Sequence, residues 1–145
     1  QFLLWEISMN TQSNYQDQIT KAKEAYLKAY APYSNFRVGA AALTELGHIV
    51  SGCNVENASY GLTVCAERNC IAQAVINGET RIQSIVVYTE QEKLTPPCGA
   101  CRQVIAEFLA EDAKVISANH LGDTKIWTVS ELLPDAFTPK SLLDI

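Results

Sequence analysis

Two short motifs, Cys65-Ala66-Glu67 and Pro97-Cys98-Gly99-Ala100-Cys101, constrain this chain more than any other feature. Three thiolates that share one zinc ion must converge at ~2.3 Å from it, so the fold has to bring two distant segments to one point. A structural zinc site is closed by four protein ligands, whereas a catalytic one keeps three and leaves a position open. Cys65, Cys98 and Cys101 make three, and Glu67 stands two residues from the first with a carboxylate suited to proton transfer. An enzyme is therefore the first expectation.

Both motifs open stretches with helical spacing. Cys70, Ile71, Ala74 and Val75 make an inward face for a helix over residues 64–76, which Asn77-Gly78 stops. Pro97 suits a first helical position, and Val104, Ile105, Phe108 and Leu109 give the second helix its apolar face. Unpaired N–H groups and the positive end of a helix dipole stabilise thiolates at such starts. Cys98 and Cys101, three apart, share a face. Arg68 follows Glu67 and is a candidate cation for drawing charge off a thiolate. Glu67 is read as the group that takes a proton from an activated water and passes protons on. Alone, a Cys-x-x-Cys is equally a redox pair or half of a structural site, and a Glu near a helix start is equally a surface charge.

The remaining pattern supplies the frame. Tyr15 to Tyr30 is helical, with Ile19, Ala22, Tyr26 and Tyr30 on one side, and Pro32 ends it. Phe36–Thr44 and His48–Val55 read as two strands around a turn at Leu46-Gly47. The small residues from Gly39 to Ala42 predict close packing against that strand. Ile82–Thr89 is a β-branched run, and Ala113–Ala118 and Ile126–Val129 read as two more strands. Ser130 is a candidate cap for a last helical turn ended by Pro134. This order predicts an α/β domain, with helices on both faces of a five-stranded sheet.

Composition narrows the partners. With 145 residues the chain supports one domain, and its net charge of −5 with no basic stripe disfavours nucleic acid. No apolar run is long enough to span a membrane. Five cysteines without a secretory signal fit a reducing compartment, so a cytoplasmic location is expected. Met9 is the sole methionine, so residues 1–8 are expected to be an extension, non-native or disordered, ahead of a domain over residues 9–145. Cys53 and Cys70 are read as packing thiols, His48 and His120 as surface residues, and Trp127 as core or interface.

With Tyr33-Ser34-Asn35-Phe36-Arg37-Val38-Gly39-Ala40, Gly52-Cys53-Asn54-Val55-Glu56-Asn57-Ala58-Ser59-Tyr60 and Leu133-Pro134-Asp135-Ala136-Phe137 added to the two cysteine motifs, the chain resembles the small zinc-dependent cytidine deaminases over nearly its whole length beyond the first residues. The resemblance implies a three-layer α/β/α fold with a mixed five-stranded sheet and one zinc ion per subunit. It implies hydrolytic deamination of cytidine and deoxycytidine: water attacks C4, and Glu67 protonates N3 and then assists the departure of ammonia. It places Asn54 and Glu56 on the ribose, the Ala66 N–H on the base carbonyl and Phe36 against the substrate. It further implies a homotetramer with shared active sites, in which Ala58 and Tyr60 reach a neighbour's sugar and Phe137 a neighbour's base pocket. An aromatic in that position could equally complete its own core. The competing readings are a deaminase of another cytosine-containing substrate, a non-enzymatic zinc domain used in assembly, and a Cys-x-x-Cys oxidoreductase.

Overall fold

The computed structural model describes residues 2–143, with side chains described from Tyr15 onward. The backbone of residues 2–8, expected as an extension ahead of the domain, lies in α1, and their side chains fall outside the described residues. The elements are α1 (Phe2–Leu27), β1 (Gly39–Thr44), β2 (Ile49–Cys53), a 3₁₀ turn (Tyr60–Leu62), α2 (Ala66–Ile76), β3 (Ile82–Thr89), α3 (Gly99–Phe108), β4 (Leu109–Asn119), β5 (Thr124–Thr128), α4 (Val129–Leu132) and α5 (Pro139–Leu143).

The five strands form one mixed sheet in the order β2-β1-β3-β4-β5, in which β3 and β4 are parallel and the other pairs antiparallel. The parallel pair is joined through α3, as a crossover requires. Alternation along the strands divides the core in two. Ala40, Ala42, Ile85 and Val115 face α2, α3 and α4. Ala41, Val86, Tyr88, Ile116 and Ala118 face α1, where Ala22 is buried and Tyr26 meets Tyr88 edge-on. The fold is therefore the expected three-layer α/β/α arrangement.

Two glycines set the spacing of the layers. A Cβ on Gly39 would lie 1.9 Å from the Ala22 carbonyl oxygen, and one on Gly52 would lie 2.4 Å from the Cys70 nitrogen. β1 thus touches the backbone of α1, and β2 touches that of α2 on the opposite face. Gln18, wholly buried, hydrogen-bonds the Ala41 carbonyl and accepts from Ser84 Oγ, which fixes α1 along the sheet.

Several element ends differ from the sequence expectations, each for a local reason. α1 stops at Leu27 rather than Tyr30, because Tyr30 pairs with Val55: its N–H goes to the Asn54 carbonyl, and its carbonyl takes the Glu56 N–H. Phe36 to Val38 lie outside β1, since Arg37 reaches the Leu27 carbonyl and the Val38 N–H goes to Asn54 Oδ1. β2 starts at Ile49 and ends at Cys53, and Val64 bridges Val55 instead of entering α2. α3 begins at Gly99 with Cys98 as its N-cap, so Pro97 precedes the cap. Leu109 has extended dihedrals and opens β4 instead of closing α3. β5 spans Thr124–Thr128, and Val129 belongs to α4. Thr128, not Ser130, caps α4 in a capping box with Glu131.

Gly52→Ala and Gly39→Ala are each expected to lower stability by about 1–3 kcal/mol, because backbone must move to admit a methyl group. Gly61→Ala, where an added Cβ meets nothing within 4 Å, is expected to stay within about 0.5 kcal/mol of the parent. Urea midpoints of the three variants check this.

Candidate active site

β2 and β3 end, and β1 begins, along one edge of the sheet, where Gly39 is paired with both Cys53 and Tyr88. Open α/β sheets bind ligands at such strand ends. The chain leaving β2 supplies Asn54 and Glu56, the start of α2 supplies Cys65, Ala66 and Glu67, and the start of α3 supplies Cys98 and Cys101. Asn69 Nδ2 donates to the Cys53 carbonyl at 2.8 Å and ties α2 to the end of β2. Arg102 does the same for α3: its Nε donates to the Pro97 carbonyl at 2.8 Å and its Nη1 to the Leu132 carbonyl at 3.1 Å.

Cys65 and Cys98 are both helix N-caps in extended conformation, and Cys101 lies in the first turn of α3. The three sulfurs lie within 4.8 Å of one another, Cys65 and Cys98 at 3.8 Å. A tetrahedral centre with Zn–S bonds of ~2.3 Å needs sulfurs about 3.8 Å apart. The donor set therefore fits one zinc ion per chain.

The thiols are unequal in acidity. Cys65 is pulled down to about 5 by a hydrogen bond from Cys101 and, against a burial cost, by donation from Arg68. Cys101 is raised because it supplies that hydrogen bond and is buried. Arg68 Nη2 lies 3.5 Å from the Cys65 sulfur, so a cation faces that thiolate. Its Nε is buried without a partner. Cys70 is wholly buried within α2 and is pushed up to about 12 by burial, its thiol donating to the Val50 carbonyl at 3.4 Å. It packs in the core, as expected. Cys53 is half-buried in β2.

Glu67 is only 4% exposed, and burial, then the Cys65 charge, raises its carboxyl above the ordinary range. Glu67 lines a cleft of ≈ 260 Å³ together with Phe36, Asn54, Glu56, Tyr60, Cys65, Ala66 and Cys98. Ala66 is the first residue of α2, so its N–H has no partner within the helix. Asn54 and Glu56 are buried, and their polar groups hold the loop over residues 33–38. Asn54 Nδ2 donates to the Phe36 carbonyl at 2.8 Å and Oδ1 accepts from the Val38 N–H at 2.9 Å. Glu56 accepts from the Tyr33 and Ser34 N–H groups and from Ser34 Oγ, and these bonds keep its carboxyl below the ordinary range, the hydroxyl contributing most.

Two expected contacts are not in this cleft. Ala58 is exposed and does not line it, and Phe137, 62% exposed, lies elsewhere with its carbonyl accepting from Gln103 Nε2. Tyr60 lines the cleft of its own chain yet is 66% exposed. Sequence reasoning missed Ser34, Val38, Thr63, Val87, Thr95 and Pro96, which complete the walls. Ser34 and Val38 lie within the segment from Tyr33 to Ala40 that carries the family resemblance, but the sequence alone points to no site role for any of the six. Thr95 is legible only once the structure shows its carbonyl held by Ser117 Oγ at 2.8 Å. His48 is exposed and pairs with Glu79 at 3.0 Å, His120 is exposed at a turn, and Trp127 is half-buried under Lys125.

Comparison with known proteins agrees with this geometry. The family described as "Cytidine and deoxycytidylate deaminase zinc-binding region" matches residues 12–117. The chain is 48% identical to a cytidine deaminase of Halalkalibacterium halodurans over 126 residues, which cover 87% of this chain and 96% of that one. It is 46% identical to a cytidine deaminase of Sporosarcina psychrophila, with 86% and 91% covered. The crystal structure of cytidine deaminase from Burkholderia pseudomallei superposes with a TM-score of 0.81 at 47% identity, covering 84% of this chain and 98% of that one. That from Mycobacterium tuberculosis gives 0.75 at 37% identity, covering 85% and 96%.

Arg68→Ala is expected to weaken zinc retention about 10- to 100-fold, since it removes the cation facing Cys65. Competition with a chromogenic chelator measures the change. Unaltered retention would show that the helix N-termini alone hold the thiolate charge.

Proposed function

Since the chain belongs to the cytidine and deoxycytidylate deaminase family, we propose that it converts cytidine and deoxycytidine to uridine and deoxyuridine by zinc-dependent hydrolysis, releasing ammonia. The observation that carries this is the position of Glu67: a buried carboxyl in the first turn of α2, in one cleft with three converging sulfurs and a polar pair suited to a sugar.

Cys65, Cys98 and Cys101 would hold the zinc, which would supply Lewis acidity to make a water a better proton donor and nucleophile near neutral pH. The chain's own groups do the rest. The Ala66 N–H receives the base carbonyl, and Phe36 packs against the ring. Glu67 takes a proton from the attacking water and delivers it to N3 as the new C–O bond forms at C4. It then carries the hydroxyl proton to the amino group, the C4–N bond breaks, ammonia leaves and the C4 carbonyl forms. Burial suits Glu67 to this exchange, because it brings the carboxyl nearer to the acidity of its partners. Asn54 and Glu56 hold ribose hydroxyls. Arg68 offsets thiolate charge and keeps the sulfur cluster together.

The same reading extends to assembly and cellular role. The active form is a homotetramer, in which Ala58 and Tyr60 meet a neighbour's sugar and Phe137 closes a neighbour's base pocket. It acts in pyrimidine salvage in the cytoplasm. Tyr60, exposed on the cleft wall, and exposed Tyr33 and Leu62, next in sequence to the cleft residues Ser34 and Thr63, support a covered cleft mouth, since large apolar groups gathered at a site rim mark a contact surface. No described helix is long and apolar enough to cross a membrane.

Glu67→Gln is expected to keep one zinc per chain while kcat for cytidine falls on the order of 10³-fold or more. Elemental analysis and the fall in cytidine's ultraviolet absorbance give the two readouts. Near-parental turnover would overturn the assignment of Glu67. Phe137→Ala is expected to raise KM for cytidine about tenfold with the tetramer intact by light scattering. An unchanged KM would confine Phe137 to its own chain.

A further inference from the structure

The carboxylate of Glu56 has nearly all of its acceptor capacity committed before any ligand arrives. An ionised carboxylate offers about four lone-pair sites. Oε1 accepts from the Tyr33 N–H at 3.0 Å and the Ser34 N–H at 3.1 Å, and Oε2 accepts from Ser34 Oγ. Asn54, beside it in the cleft, has one of its two N–H groups on the Phe36 carbonyl and one carbonyl lone pair on the Val38 N–H. This pair of cleft-lining residues therefore keeps one carboxylate lone pair, one amide N–H and one amide lone pair uncommitted. That set matches a hydroxyl that donates to Glu56 and accepts from Asn54.

Ser34 is the hinge of this arrangement. Its hydroxyl donates to Glu56 and at the same time accepts the Phe36 N–H at 3.0 Å. One side chain thus ties the carboxylate facing the sugar to the residue facing the base. Asn35, between Ser34 and Phe36, adopts a φ of 56°, a left-handed bend that brings the Phe36 N–H back to the serine hydroxyl. The Glu56 carboxyl is held below the ordinary carboxylate range with the Ser34 hydroxyl as the first cause, which agrees with a carboxylate aimed by this contact.

We propose that Ser34 is a positioning residue for sugar recognition: it aims the Glu56 carboxylate with a single acceptor site free, and it couples that site to Phe36 across the cleft. The inference rests on the reading of Glu56 as a ribose contact. Ser34 does not touch the reacting atoms, so its loss acts on substrate binding rather than on proton transfer.

The test compares cytidine with 2′,3′-dideoxycytidine, which lacks the hydroxyls that Glu56 and Asn54 would hold. In Ser34→Ala, KM for cytidine is expected to rise about tenfold, the scale of a lost hydrogen bond to a charged group. With zinc content unchanged, kcat is expected to stay within about twofold. The rise for the dideoxy substrate is expected to be clearly smaller, and Ser34→Thr, which keeps the hydroxyl, is expected to return KM for cytidine towards the parental value. An unchanged KM for cytidine in Ser34→Ala, or an equal rise for both substrates, would overturn the inference. Glu56→Gln separates the two levels. If it raises KM for cytidine while Ser34→Ala does not, the role of Ser34 alone falls. If it too leaves KM unchanged, the sugar contact of Glu56 falls and the inference with it.

Discussion

The direct contact between β2 and α2 at Gly52 is the constraint on which the site depends. The Gly52 backbone approaches Cys70 so closely that even one methyl group would collide with it. That approach lays the first turn of α2 against the end of β2, so Cys65 and Glu67 stand beside Asn54 and Glu56. A larger layer spacing would carry α2 away from the start of α3, and the three sulfurs would no longer converge. The second close contact, at Gly39, holds α1 on the opposite face and keeps the same sheet edge from shifting.

The electrostatics follow from this placement. Three thiols crowded at two helix starts repel one another once ionised, and a buried carboxylate beside them adds to the repulsion. The fold offsets this with helix N-termini and with the Arg68 guanidinium against Cys65. The Glu67 carboxyl is raised, first by burial and then by the Cys65 charge. The carboxyl of Glu56, in the same cleft, is displaced in the opposite direction, because three protein donors surround it. One cleft thus holds two carboxyls with different acidities: one suited to exchanging a proton and one to remaining an anion.

The sequence was most legible where local chemistry and burial agree. Ile82–Thr89, a β-branched run, is β3 from end to end. The helices at the cysteine motifs were legible from their periodic apolar faces, although their first residues proved to be Ala66 and Gly99. Legibility failed where a distant segment captures the backbone. Tyr15 to Tyr30 has helical periodicity throughout, yet Val55 takes Tyr30 out of α1. Leu109 continues the apolar face of α3, but pairing with Ile82 draws it into β4. Ser130 and Thr128 are both good caps, and the Glu131 side chain reaching back to Thr128 decides between them. In the cleft, Ser34 and Thr95 are ordinary polar loop residues until their partners at Glu56 and Ser117 are known.

The sequence by itself determined the ligand types, the presence of a carboxylate next to the first thiol, and an alternation of elements that admits a layered α/β sheet, because these are properties of residue identity and short-range spacing. The tertiary structure alone decided that Cys98 lies 3.8 Å from Cys65, that Glu67 is buried, and that Glu56 has one acceptor site left. Those facts depend on contacts between residues far apart in the chain, whose geometry is fixed by how closely backbones can approach and by which donors find which acceptors once packed.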